Sequence, residues 1–562
     1  MNSVEAESAL WMEDEFFDEA TRAELKGLDA KELYERFYKR LKFGTGGMRG
    51  EMGAGTNRMN KYSVARAAAA VGCWLLEDIG DERCARDGVV IAYDTRNNSE
   101  FFAKISADIL KSMGIRVRIL RAAAPTPGLS FSVTRLGAVA GIVITASHNP
   151  KEDNGFKVYD QNGVQAVNAI TDRISYFMEQ IEDYRELFFK EYEHELIDLE
   201  DIYVREVLNN DIRVSDEAKA AVRIVYTPLH GTGNMTVRKT LGAAWFKQVI
   251  IVDEQEKPDG NFPTVKTPNP ENGEALSKGI NLARAYEADI VLGTDPDADR
   301  VGVAVRHRGE YRLLTGNQTG ALLMDYIVHY ADLSKFKKPA VIKTAVTSDL
   351  GAEIAMKHGM KVFTTLTGFK YAGEKIAEFE KAKATGDELR NYDFVFGYEE
   401  SYGCLYGTYT HDKDAIIACL LISDMAALYK TQGKTLIDRL NEIYAEYGYY
   451  LDAQDSFKLT GSDGAKRIKA AMDALRKNGF ELDGIKETID YSTGVQAEEG
   501  FKPLPKSNVL KGIFEDGSWI AVRPSGTEPK LKVYYSIRGD GRTDAENKFK
   551  EIREKLLKSM NM

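Results

Sequence analysis

Short, almost uninterrupted apolar runs alternate with amphipathic stretches along most of the 562-residue chain. Residues 88–93 (GVVIAY) predict a buried strand, and the polar stretch DTRNNS that follows is rich in residues that cap helix N-termini. A helix then runs to Met113 and stops at Gly114, which reads as the glycine just past a helix end. Residues 115–120 are the next strand. After a further helix, 138–145 (AVAGIVIT) is the continuous apolar run of a parallel strand covered on both faces. This βαβαβ block ends in the polar loop TASHNP. The rhythm restarts at 221–226, 248–252 and 289–293, ending in TDPDADR, and again at 339–344, 361–365 and 393–397, ending in YEESYG. Each block therefore delivers a polar loop to the carboxyl end of an apolar strand, where open α/β sheets bind ligands.

Beyond about residue 450 the pattern changes. A helical stretch at 464–477, short strands, 518–522, the loop RPSGTEP, 530–537 and a charged helix at 544–558 predict a separate α+β domain. The length alone suggests three to five domains. A formal charge of −11, from 75 Lys and Arg against 86 Asp and Glu, disfavours nucleic acid as the main partner. It leaves room for a small anionic substrate held by a few local cations. Four cysteines without a CxxC pair read as reduced, buried small hydrophobes. The acidic N-terminus lacks the apolar core of a signal peptide, and the longest apolar run, 415–429, contains Asp424 and reads as amphipathic. A soluble, cytoplasmic protein with no membrane partner is expected.

Asp295, Asp297 and Asp299 stand at i, i+2 and i+4 after a buried strand. In extended backbone their side chains share one side, an arrangement that is costly without a cation between them. Oxygen-only ligands select Mg²⁺ or Mn²⁺. An EF-hand fails, because its obligatory glycine is Arg300 here and its closing glutamate is Arg306. A phosphatase-type aspartate nucleophile and a solvated acidic turn remain as alternatives. Ser147 follows another buried strand and is placed to be a nucleophile or phosphate carrier, or else to serve a Ser/Asn turn. His148 beside it points to the opposite face in extended backbone. The nearby 154–157 (NGFK) reads as a turn with a cation, and 44–50 (GTGGMRG) as a glycine-rich loop offering amides and Arg49. RPSGTEP combines Arg523, two hydroxyls and a glycine suited to phosphate, and GYEES offers carboxylates and a hydroxyl suited to sugar.

These five loops in this order resemble the α-D-phosphohexomutase family, the phosphoglucomutase/phosphomannomutase enzymes, from about Lys42 to Val533. YTPLHGTG, DGNFPTVKTPNPE and TGFKY are secondary points of similarity. The resemblance implies an α/β protein of four domains around a central cleft, three α/β with mixed sheets and one C-terminal α+β. Their expected bounds are 1–206 with the serine loop, 207–314 with the metal loop, 315–448 with the sugar loop, and 449–562 with the phosphate loop. Phosphorylated Ser147 would give its phosphoryl group to a sugar monophosphate and recover the other phosphate from the resulting bisphosphate. By the same resemblance Asp295, Asp297 and Asp299, with the Ser147 phosphate, would bind one Mg²⁺ per chain near Arg300. Thr367, Gly368, Glu399 and Ser401 would hold the sugar, and Arg523, Ser525, Gly526 and Thr527 the non-reacting phosphate. Arg49, Lys157 and Lys413 take the places of cations near the reacting oxygens, and His148 that of an acid or base. The expected reaction interconverts glucose 1- and 6-phosphates, with glucose 1,6-bisphosphate as intermediate and activator, in a monomer or homodimer. The features of these loops point to the bacterial phosphoglucomutase and phosphopentomutase-like group within the family. Ribose or mannose phosphates, a metal-dependent phosphatase, and a silent sugar-phosphate sensor are the alternatives.

Overall fold

All three strands expected between residues 88 and 145 form in the computed structural model, which describes every residue except 1–2, 45, 188–189, 213, 460, 496–497, 526–529 and 561–562. The first α/β block contains β1 (Met48–Glu51), β2 (Val89–Tyr93), β3 (Val117–Leu120), β4 (Ala140–Ile144), β5 (Asp153–Tyr159) and β6 (Glu195–Ile197), in the order β1-β5-β4-β2-β3-β6. The central strands are parallel and wholly buried. Alternate residues enter different cores. Val89 and Ile91 pack with Ala65, Phe102 and Ile109, whereas Val90 and Ala92 pack with Leu129, Val133 and Tyr159. Two helix-covered faces thus explain the unbroken apolar run.

The block departs from a plain parallel sheet at its functional edge. β5 runs antiparallel to β4, with Phe156 opposite Ile144, and β1 runs antiparallel to β5, with Arg49 opposite Gly155. The stretch expected to turn at 154–157 is therefore strand. Asn154 is buried, and its amide bonds to Asn97 O and Ser99 Oγ rather than closing a turn. A side chain at Gly155 would put Cβ 2.4 Å from Thr145 O, so glycine is what lets β5 approach the serine loop.

The second block holds β7 (Arg223–Thr227), β8 (Gln248–Ile251), β9 (Ile290–Thr294), β10 (Val301–His307) and β11 (Glu310–Leu314), in the order β11-β10-β9-β7-β8. Its plan is the same. β9, β7 and β8 are parallel, and the chain leaves β9 through a tight loop into antiparallel β10, where Val301 faces Thr294. Both blocks lie in one compact unit, Met1–Leu314 together with Gly403–Leu428.

A second unit, Thr315–Tyr402 with Tyr429–Met562, carries parallel strands β12 (Pro339–Thr344), β13 (Lys361–Thr365) and β14 (Asp393–Tyr398), with β12 paired to both others. The chain then re-enters the first unit for β15 (Cys404–Tyr406) and most of the helix Ala415–Thr431. That helix is not amphipathic. It is buried on every side through Ala427, and Asp424 is buried with it, 3.1 Å from Lys219 Nζ. Among the described residues no single helix is long and apolar enough to cross a membrane.

The second unit ends in the expected α+β tail. β16 (Tyr449–Lys458), β17 (Ile485–Asp490), β18 (Leu510–Phe514), β19 (Trp519–Pro524) and β20 (Lys530–Gly539) form an antiparallel sheet, β16-β20-β19-β18-β17. Helices Gly461–Asn478 and Arg542–Ser559 share one core with it through Met472, Leu475, Leu556, Val522 and Val533. The fold is thus three α/β sheets followed by an α+β domain.

Lys511 of β18 is buried, donates to Ala345 O just after β12 at 2.8 Å, and lies 4.0 Å from the Trp519 ring. Burial, and then the Lys343 charge, push its ammonium down to about 7 despite nearby Asp349. The unfolded chain, with an ordinary lysine, binds the extra proton between that value and about 10.4. Stability should therefore rise with pH over that window, by up to ~1.4 kcal/mol per pH unit. Denaturant unfolding between pH 7 and 9 should show this slope in the native protein and lose it in Lys511→Met; equal slopes in the two would refute it.

Candidate functional site

The three aspartates converge, though not by extended backbone. Residues 295–300 form a tight turn in which Ala298 adopts φ +50° and its amide bonds to Asp295 O at 2.9 Å. Asp295 Oδ1 closes the turn by accepting the amides of Asp299 (3.1 Å) and Arg300 (3.0 Å). One oxygen from each carboxylate falls within 4.8 Å of the others, and all three residues are buried.

Neutralisation comes from elsewhere in the same unit. Lys157 Nζ on β5 lies 3.0 Å from Asp297 Oδ2, which also accepts Thr126 Oγ1 at 3.0 Å. Lys413 Nζ lies 3.0 Å from Asp299 Oδ2. Arg300 stands beside the cluster, its Nε 3.6 Å from Asp299 Oδ1, and also bonds to Glu271 of the TPNPE stretch. Three carboxylates crowd a site where each buried ion carries a desolvation cost of several kcal/mol. Asp297 Oδ1 and Asp299 Oδ1 are buried without a hydrogen-bond partner. Burial, and then Asp297 and Asp299, push Asp295 well above the usual carboxylate range. Burial opposes ionisation of Asp297 too, but Lys157 and Lys413 outweigh it and hold that group well below the range. Three converging buried carboxylates, two of whose oxygens accept no hydrogen bond, form a hard-donor set that fits a divalent cation.

Ser147 meets this cluster directly. Its Oγ donates to Asp295 Oδ2 at 2.9 Å and lies 3.1 Å from His148 Nδ1. The sequence reading set these neighbours on opposite faces. The structure brings them together because Ser147 adopts φ +52°, a left-handed conformation that costs a non-glycine residue roughly 1–2 kcal/mol. Its amide is held by Thr145 Oγ1 at 2.8 Å. Burial, with the charges of Arg300 and Arg49, pushes His148 well below 6.5, so its imidazole is neutral near pH 7. Arg49 reaches the same loop from β1, its Nη1 3.1 Å from Asn149 Oδ1. In the glycine-rich stretch before it, Gly44 and Gly47 exchange backbone hydrogen bonds.

The remaining predicted residues lie in the second unit. Glu399 is buried and accepts the Gly368 amide at 2.9 Å, and Gly368 has φ +113°. Thr367 Oγ1 beside it is buried without a hydrogen-bond partner. Ser401 follows in the turn after β14 and is partly accessible. Arg523, next to last in β19, lies opposite Lys532 and near enough to Tyr371 of the TGFKY stretch to act on its phenol. Ser525 bonds to Lys530 O at 2.7 Å, whereas Gly526 and Thr527 lie outside the described residues.

Models of the four phosphoglucomutase/phosphomannomutase domains match this chain: alpha/beta/alpha domains I, II and III at residues 40–185, 201–309 and 315–447, and the C-terminal domain at 462–550. The chain belongs to the phosphoglucomutase/phosphomannomutase family. It is 37% identical to the phosphoglucomutase of Staphylococcus haemolyticus over 522 residues, covering 90% of this chain and 91% of that one. It is 34% identical to the phosphoglucomutase of Staphylococcus aureus over 531 residues, with the same coverage. Among solved structures, it resembles pp63/parafusin, a phosphoglucomutase from Paramecium in its open form (TM-score 0.69, 17% identity, 93% and 97% of the chains covered). A phosphoglucomutase/phosphomannomutase family protein from Burkholderia thailandensis is similar in fold (TM-score 0.68, 17% identity, 92% and 97% covered). As a member of this family the chain is an intramolecular phosphotransferase, a phosphosugar mutase.

Within this mutase, sequence reasoning missed the residues that hold the site together. Thr126 grips the metal loop twice, its amide bonding to Asp297 O at 2.8 Å besides its hydroxyl bond. Tyr159 donates to Asp412 Oδ2 at 2.6 Å beside Lys413. Arg96 was legible only as part of a helix-capping stretch. Yet Asn98, at the start of helix Ser99–Ser112, makes no side-chain cap bond, and Asp94 Oδ1 instead takes Ser99 Oγ and the Arg96 amide. None of these belongs to a short motif, so no sequence signal marked them.

Mg²⁺ or Mn²⁺ should raise the Tm of the native mutase, and Asp297→Asn should lose most of that increment, with cation affinity falling about 100-fold or more. Calorimetric titration checks this without an activity assay. Unchanged affinity in Asp297→Asn would refute the cation site.

Proposed function

We propose that the chain is a Mg²⁺-dependent phosphoglucomutase that interconverts glucose 1-phosphate and glucose 6-phosphate through phosphorylated Ser147 and glucose 1,6-bisphosphate. The observation that carries this reading is the Ser147 hydroxyl, held on a strained turn 2.9 Å from Asp295 within the three-carboxylate cluster. The named relatives at 34–37% identity support the sugar assignment.

In the forward half-reaction the free hydroxyl of the sugar phosphate attacks phosphorus. The new O–P bond forms as the bond to Ser147 Oγ breaks, and the hydroxyl proton passes to a base. In the return half-reaction Ser147 Oγ, giving up its proton, attacks the phosphorus of the other phosphate. The O–P bond to Ser147 forms as the P–O bond to the sugar breaks, and the sugar oxygen leaves as a hydroxyl by taking up a proton. His148, neutral and 3.1 Å from Oγ, is positioned to take the serine proton. Asp295, Asp297 and Asp299 would hold Mg²⁺, which supplies charge neutralisation for the transferring phosphoryl group. Lys157 pairs with Asp297 and Lys413 with Asp299, which fixes both carboxylates, and Arg49 adds a cation at the serine loop. Glu399 and Ser401, with Thr367 and Gly368, are assigned to the sugar hydroxyls. Arg523, Ser525, Gly526 and Thr527 are assigned to the non-reacting phosphate. The four segments 1–206, 207–314, 315–448 and 449–562 each contribute one of these loops.

Ser147→Ala should lower kcat by at least about 10³-fold with the fold retained, measured by Tm and by coupled turnover with glucose 1,6-bisphosphate supplied. Native-like turnover in this variant would refute the role of Ser147. In the native enzyme glucose 1-phosphate should exceed mannose and ribose 1-phosphates in kcat/KM. Preference for either of the others would move the sugar assignment, and net phosphate release without isomerisation would favour a phosphatase.

A further inference from the structure

Arg96 is 51 residues from Ser147 in sequence, yet its wholly buried side chain binds the serine loop at four points. Nη2 donates to Ser147 O at 2.6 Å and to Asn149 O at 2.5 Å. Nη1 donates to Pro150 O at 2.7 Å and to Asp153 O at 3.0 Å. Ser147 and Asn149 lie in the left-handed turn, Asp153 begins β5, and Pro150 O also accepts the Asp153 amide at 3.1 Å, so the one guanidinium ties the serine turn to the strand that follows it. A guanidinium is the one side chain that presents enough N–H groups in a fixed plane to serve four acceptors at once.

Arg96 is itself immobilised from two directions. Its Nε lies 3.4 Å from Asp94 Oδ2, and the Phe262 ring lies 5.0 Å from the guanidinium carbon. Phe262 comes from the connection between β8 and β9, in the block that also carries the three aspartates. It is buried at φ +44°, and Gly260 before it passes so near Asn97 that a Cβ would sit 2.3 Å from the Asn97 amide. The metal-loop block therefore clamps Arg96, and Arg96 clamps the serine loop. All four Nη hydrogens are used on backbone, which leaves none for a phosphate.

We propose that Arg96 is the positioning residue that sets where the Ser147 hydroxyl stands relative to Asp295, fixing its carbonyl side while Asp295 fixes its hydroxyl. The proposal rests on Ser147 being the phosphoryl carrier. Lysine at this position keeps the charge but cannot span the four carbonyls. A displacement of the order of 1 Å in a reacting group costs about 10²-fold in rate.

The test compares the full-length native enzyme with Arg96→Lys and Arg96→Ala. Readouts are Tm, kcat and KM for glucose 1-phosphate, and the rate at which labelled glucose 1,6-bisphosphate phosphorylates Ser147. Arg96→Lys should keep KM within about threefold while kcat and the Ser147 labelling rate both fall about 10²-fold. Free guanidinium at millimolar concentration should restore part of the labelling rate to Arg96→Ala, and methylammonium should not. Should Arg96→Ala fail to fold, Arg96→Lys alone decides. Labelling of Ser147 and turnover in Arg96→Lys within twofold of native, with only Tm reduced, would overturn the positioning role. Absence of Ser147 labelling in the native enzyme would instead overturn the proposed reaction.

Discussion

The first unit is organised around the confinement of Asp295, Asp297 and Asp299 in one buried turn. Three like charges whose oxygens approach within 4.8 Å cannot stay ionised unaided. The fold answers with two lysines from separate parts of the chain, one on β5 and one in the segment that returns after residue 402. That return explains an otherwise uneconomical path. By re-entering the first unit for Gly403–Leu428, the chain delivers Lys413 to Asp299 and anchors it with a fully buried helix. The cluster keeps two carboxylate oxygens without a hydrogen bond, an arrangement that fits a divalent cation and a phosphorylated hydroxyl.

The serine and metal loops are built by the same device. In each block a buried parallel strand ends in a tight loop, and the chain returns on an antiparallel neighbour, β4 to β5 and β9 to β10. Each loop contains a non-glycine residue at positive φ, Ser147 and Ala298. Strain of this kind persists only where the surroundings over-determine it. Asp295 Oδ1 closes the metal turn on two amides, and Arg96 closes the serine turn on four carbonyls. A phosphoryl transfer that depends on positioning and charge stabilisation more than on covalent chemistry suits such a scaffold.

Much of the fold was legible because buried parallel strands announce themselves. Runs such as GVVIAY and AVAGIVIT have no polar face, and their helices carry ordinary stop signals, Gly114 among them at φ +82°. The antiparallel strands were harder. β1 is only four residues long, and in β5 the Asn-Gly pair at 154–155 looks like a turn until the buried bonds of Asn154 are seen. The three aspartates could be recognised as a group from spacing alone, but the reason given, extended backbone, was not the one that operates. The same assumption separated His148 from Ser147, and a single left-handed residue reverses it. Arg300 does stand beside Asp299, but its second bond, to Glu271, depends on a contact 29 residues away that adjacency does not reveal. Arg96 and Thr126 act through tertiary contacts with backbone and carboxylate, which a one-dimensional pattern does not encode.

Ser147, hydrogen-bonded to Asp295 at 2.9 Å, is the residue proposed to carry the phosphoryl group. Mass-spectrometric mapping of the phosphorylated residue, after the native enzyme is treated with glucose 1,6-bisphosphate and Mg²⁺, tests this most directly. Acid-stable phosphate on Ser147, discharged when excess glucose 1-phosphate is added, is the predicted result. Phosphate on Asp295, Asp297 or Asp299, or none on the enzyme during turnover, would contradict it.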